Sequence, residues 1–384
     1  MLQRRTLALL FSVLAGAPVL AEQAEGAAVP CMFRGNPQHT GAYASKPVNG
    51  PPKVKWKFRT GTADRIVSSP AIVAGVCYFG SRDHCLYAVD AASGKEKWKF
   101  KTGGEVDSSP AVVQGAVYFG SWDGQCYAVD AKTGQEKWKF SAGAIIASAP
   151  AVFERVAYFR VLDGMLFALD TETGKQKWKF SSGRGWDCSS PALADGRVYF
   201  CSHWEGTLCA LELNTQKPAW TFAAGEVYGD APGTPVIADG LAYFGSGRSK
   251  KLFAVNLKTG KKEWAFDAKH FVYSAPAVAN GTLYFGSYDK CLYAIDAKTG
   301  QEKWKYPTGD QIYSSPSVAG GTVYAGSHDG NLYALDAQTG KEQWKFQTAG
   351  KISSSPVPAD GVIYFGGVDK GEDGTEYGTL FALQ

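Results

Sequence analysis

The chain has 384 residues, 45% hydrophobic, 13% aromatic and 20% charged, with 45 glycines. Such a composition can bury a large core and excludes a disordered or collagen-like chain. Its formal net charge of +4, from 40 basic and 36 acidic side chains, is too small to imply a nucleic-acid partner.

Residues 1–21 read as a secretory signal. Arg4 and Arg5 open it, Leu7 to Leu14 supply an apolar run, and Val19-Leu20-Ala21 forms a small-residue cleavage site. The run is shorter than the roughly 20 apolar residues a membrane span needs, and no later segment reaches that length. Cleavage would remove both arginines and lower the net charge to +2. Residues 22–52 read as a lead-in, with 22–29 flexible and Cys31 to Pro37 packed as an irregular segment on the ring described below. Pro30 directly before Cys31 fits lipid attachment poorly, so the expected destination is the periplasm or beyond, free of an anchor.

From residue 53 onward one spacing dominates. Trp56, Trp98, Trp138, Trp178, Trp220, Trp264, Trp304 and Trp344 recur at intervals of 40 to 44 residues. That period marks a repeat in which each unit is a small four-stranded sheet. In residues 108–140 the strands read as 108–113, 116–121, 125–130 and 136–140, separated by Gln114-Gly115, Trp122-Asp123-Gly124 and the Asp130 to Gly134 turn. Along the fourth strand Trp138 and Phe140 share one face and Lys137 and Lys139 the other, because strand side chains alternate. The aromatic face packs on a neighbouring sheet. The lysines guard an outermost edge against association, so the closed ring is expected to be monomeric.

Seven units run from residue 68 to 346, each ending in its tryptophan. An eighth starts at residue 353 and reaches Gln384 with only three strands. Residues 54–58 supply its fourth. The predicted fold is therefore all-β, a single eight-bladed propeller over residues 53–384 closed by its N-terminal strand.

The turn before each tryptophan carries a signature. Ala88-x-Asp90-x-x-Ser93-Gly94-x-x-x-Trp98 resembles the tryptophan-docking motif of the pyrroloquinoline quinone (PQQ)-like propellers. It recurs at 128–138, 168–178, 254–264, 294–304 and 334–344; only the fourth copy departs, with Glu212 and Gln216 at the acid and glycine positions. Cys31 to Pro37 resembles the lead-in of bacterial propellers of this type. The resemblance implies one of two branches, quinoprotein dehydrogenases or non-catalytic BamB-like scaffolds of outer-membrane assembly. The dehydrogenase branch implies PQQ, calcium held by Glu and Asn, and an adjacent cysteine pair. This chain has no Cys-Cys dipeptide and almost no insertions between strands. The expectation is a non-enzymatic scaffold without cofactor that binds envelope or secreted proteins. A PQQ-dependent dehydrogenase and a carbohydrate-binding propeller are the alternatives.

Function is sought where the repeats disagree. The first-to-second and third-to-fourth turns are uniform, as turn chemistry requires. The second-to-third turns and the crossings between blades scatter, and they fall at the opposite end. Trp122, Trp186, Trp204, Arg248, Tyr288 and His328 are the candidate binding residues there, since interface cores favour aromatics and arginine. If Asp195-Gly196 is a hairpin turn, Cys188 and Cys201 face the same side and are candidates for a disulfide; the other cysteines read as small buried residues. The five histidines lie in separate units without metal-ligand spacing and read as polar surface residues. The acidic loop Asp369, Glu372, Asp373 and Glu376 lacks the ligand order of a calcium loop.

Overall fold

The computed structural model describes residues 31–61, 65–183, 185, 189–202, 206–225 and 233–384. The expected signal at 1–21, residues 22–30, Trp186, Cys188 and Trp204 lie outside the described residues.

Eight antiparallel sheets form the ring. Blade 2 is representative: Ala111–Val113, Ala116–Gly120, Gln125–Asp130 and Glu136–Ser141 pair in sequence order. Its first strand is shorter than expected, because Ser108-Ser109-Pro110 turns in towards the axis and Pro110 cannot donate to a ladder. The last blade combines Val357–Ala359, Val362–Lys370 and Glu376–Leu383 with Val54–Arg59, Trp56 lying opposite Ala382. Closure by the N-terminal strand is thus observed. Asp239 and Gly240 both have positive φ, 50° and 77°, as a two-residue primed hairpin turn demands.

A β-bulge just before each docking tryptophan of the fourth strands, as between Glu136 and Trp138, re-aims the indole towards the following blade. Trp138 donates from Nε1 to the Thr171 carbonyl at 2.9 Å, and Trp98 does the same to Ala131 at 3.1 Å. The glycine of the next turn lies flat on the ring. A Cβ at Gly134, whose φ is 72°, would stand 2.6 Å from Trp98. In blade 8 no such turn joins the third and fourth strands, because the fourth, Val54–Arg59, comes from the N-terminal part of the chain. Trp344 instead donates to the carbonyl of Val48 at 2.9 Å, so the lead-in replaces the missing turn.

The lead-in does more than that: the irregular segment expected to pack on the ring does so along its inner edge. Residues 31–43 run around the inside of the axial channel, against the innermost strands, and 45–48 continue out to Trp344. Cys31 pairs with Val112 of blade 2, and Val152 of blade 3 donates to the Met32 sulfur. Leu193, Ile237, Val278 and Val318 of blades 4 to 7 donate to the carbonyls of Pro37, Gln38, Thr40 and Gly41. Ala42–Tyr43 pairs in parallel with Ser317–Ala319, and Gly361 of blade 8 donates to Ser45. Each innermost strand has an unpaired inner edge, and an extended segment satisfies those edges in turn. Arg34 is buried and donates to the carbonyls of His39 and Pro276. His39 is buried too, contrary to its reading as a surface residue, and burial with the nearby Arg34 charge drives its pKa down to about 3.

Candidate functional site

The second-to-third turns and the crossings do meet at one end of the ring. The residue following the turn serine, or Val161 in its place in blade 3, donates its N–H to the crossing: Trp122 to Glu105, Leu162 to Ile145, Tyr288 to Phe271 and His328 to Gln311. The turn aspartate holds both parts. Asp123 accepts from Gly103 at 2.8 Å, from the Gln125 N–H at 3.0 Å and from the Tyr127 hydroxyl at 2.8 Å. Asp83, Asp289 and Asp329 accept from Tyr87, Tyr293 and Tyr333 in the same way. Asp329 stays below the usual carboxylate range although burial pushes it up, because these hydrogen bonds outweigh the burial. A rigid frame therefore presents whichever side chain follows the serine, which is why that position is free to vary.

Trp122 and Tyr313 at this end are 37% and 41% exposed, two of the four large hydrophobic side chains left open among the described residues. Arg82 stacks over Trp122, 5.8 Å from its ring centre, and grips Asp107 with both guanidinium arms at 2.9 and 2.8 Å. Blades 6 and 7 carry a continuous aromatic arc. Tyr273 meets Tyr288 edge-on at 5.0 Å, Tyr288 lies 6.4 Å from Tyr313, and Tyr313 stacks on His328 at 6.1 Å. Burial pushes the Tyr288 hydroxyl up to about 12 and holds His328 below the ordinary histidine value, while His328 Nε2 sits 3.2 Å from Ser353 Oγ. Of the sequence candidates, Trp122, Tyr288 and His328 are brought to one rim. Arg248 is exposed on the blade 5 turn.

Inside the rim lies a well of about 460 Å³, floored by Phe33 of the lead-in. Its wall is a belt that the sequence reading missed. At the position before the inner proline, the backbone N–H of six blades donates to the hydroxyl of the next. Ser69 donates to Ser109, Ala149 to Ser190, Ser190 to Thr234, Ala275 to Ser315, Ser315 to Ser355, and Ser355 back to Ser69, at 2.9–3.1 Å. The recurrent Ser-Pro dipeptide was the signal, but it reads as turn chemistry until the ring is closed.

The dehydrogenase alternative can be tested against this lining. No group of three or more His, Cys, Asp or Glu among the described residues could hold a metal. Asp107 is the one carboxylate on the wall, and Arg82 already occupies both its oxygens. The described lining does not fit a quinone-bound calcium. Asp369 of the acidic loop pairs with Lys57 and Arg59, at 2.9 and 2.8 Å. No helix among the described residues is long and apolar enough to cross a membrane.

A family model described as outer membrane protein assembly factor BamB matches residues 53–148, 139–266 and 264–375. No curated protein matches the chain in sequence. Among solved structures, BamB from Moraxella catarrhalis is similar at 19% identity with a TM-score of 0.70, covering 87% of this chain and 99% of that one. Quinohemoprotein alcohol dehydrogenase from Comamonas testosteroni superposes at 16% identity with a TM-score of 0.78, over 92% of this chain and 80% of that one. A computationally designed protein, Ika8, reaches 0.72 at 17% identity, over 84% and 98%. At such identities the shared property is the propeller fold alone.

Proposed function

Because the chain belongs to the outer membrane protein assembly factor BamB family, we propose that it is an exported, non-enzymatic propeller that binds envelope or secreted proteins through its variable end. One observation carries this reading: exposed aromatic and arginine side chains concentrate at one end of a rigid ring, around Trp122, Arg248 and Tyr313. That composition supplies hot-spot energy. The other end consists of uniform turns, such as Asp239-Gly240 and Asp130 to Gly134, and the lead-in runs along the inner strands beside it. The Moraxella neighbour's role in outer-membrane assembly is consistent with protein partners in the same compartment.

The test is capture from cell envelopes with wild type and with a Trp122→Ala, Arg248→Ala, Tyr313→Ala variant, using Lys97→Ala, Lys137→Ala on the outer strands as a control. Partners lost only from the triple variant support the assignment. Partners lost only from the lysine variant would move the interface to the outer strands. Alcohol oxidation with a redox dye, added PQQ and calcium is the companion assay, and turnover would overturn the non-enzymatic reading.

A further inference from the structure

We propose that the axial well is a binding site for a neutral pyranose sugar, separate from the docking of proteins on the rim. The argument starts from a surplus of hydrogen-bond donors. Each hydroxyl of the belt accepts one backbone N–H, and its own proton reaches no acceptor among the described residues. The belt's five serines are more than nine-tenths buried, Ser69 at 6% and Ser109 at 7%, and both of these line the well. A buried hydroxyl with an uncommitted proton favours a ligand that brings an acceptor oxygen.

The belt is also interrupted twice. Ala149 and Ala275 stand where six other blades carry a hydroxyl, so the N–H groups of Ser109 and Thr234 reach no acceptor among the described residues. All four residues line the well. A backbone donor buried without a partner is unfavourable, and a ligand oxygen in the space left by the missing hydroxyl relieves it. Beside Ser109 the Arg82–Asp107 pair gives the wall a polar, charge-balanced edge. Trp122 and Tyr313, 37% and 41% exposed, bring aromatic surface to the mouth.

The charge decides the ligand class. Arg82 is balanced by Asp107 at 2.8 Å and lies 3.4 Å from Glu105, so the described wall has no surplus cation to hold a carboxylate or phosphate. Neutral oxygens with flat apolar C–H faces between them suit neutral donors and aromatic faces together, and a pyranose ring has both. A volume of about 460 Å³ accommodates one or two sugar rings.

The experiment titrates the full mature chain with glucose, mannose, N-acetylglucosamine and maltose, and with gluconate as an acyclic carboxylate, by calorimetry and tryptophan emission. Saturable binding of at least one neutral pyranose, with an emission change lost in Trp122→Ala, is expected. Ala149→Ser installs the missing hydroxyl and should weaken that sugar about tenfold, the loss of one hydrogen bond, without lowering the melting temperature. A merely structural belt would gain stability and leave affinity unchanged. Tighter binding of gluconate than of any pyranose, no saturable binding of the panel, or affinity unaltered by both substitutions would overturn the proposal. Protein capture by the rim is read separately, so either result can fail alone.

Discussion

Replacing Trp138 by alanine tests whether the docking tryptophans hold the ring together. The indole is 7% exposed, donates to Thr171 at 2.9 Å, lies 5.9 Å from the Tyr118 ring, and has Gly174 flat against it, where a Cβ would stand 2.7 Å away. Burying a ring of roughly 150–250 Å² at about 25 cal/mol per Å² is worth some 4–6 kcal/mol before losses. Truncations of buried tryptophan cost about 3–5 kcal/mol. Collapse onto the cavity is hindered because Gly174 and Thr171 belong to a different blade from the tryptophan and are fixed by their own turn. We therefore expect the upper part of that range. Trp122→Ala is the matched control: 37% exposed and stacked under Arg82, it should cost only about 0.5–1 kcal/mol. Urea unfolding followed by circular dichroism measures both. Equal midpoints for the two variants would refute the distinction between a buried dock and an open face.

Deleting residues 1–58 removes the outer strand of blade 8, the carbonyl that receives Trp344 and the inner lead-in together, so the expected product is insoluble; a soluble truncation melting like the mature protein would contradict ring closure. For pH, His39 is held neutral in the fold to about 3 by burial first and by the Arg34 charge second, against an ordinary 6.5. The unfolded chain therefore binds the extra proton between those values, and stability falls as pH is lowered from 6.5, by up to about 1.4 kcal/mol per unit. His39→Asn, which tolerates the positive φ of 60°, should flatten the stability profile between pH 6.5 and 5, above most carboxylate titrations, and an unchanged slope would discount His39.

The fold was legible because it repeats. Eight tryptophans at one spacing, and a last unit short of a strand with a matching strand at the start, leave one way to close the ring, and local alternation assigns the faces of Trp138 and Lys137. The uniform and variable ends were legible for the same reason: turn positions bound by backbone geometry repeat, and side chains held up by the Asp123-type frame do not. Residues 31–48 do not repeat and have no periodicity. Their partners lie as far away as Pro276 for Arg34 and Trp344 for Val48, so the open inner edges of the ring, which exist only after it closes, determined their path. The serine belt is similar. Ser109 before a proline is an ordinary turn residue until Ser69 of the preceding blade stands 2.9 Å away, and Ala149 is an unremarkable alanine until the hydroxyls on the other blades make it a gap. Strand period and turn chemistry act over a few residues and are written in the sequence. Which donors remain unpaired in the well depends on eight blades meeting at one axis, and only the tertiary structure decided that.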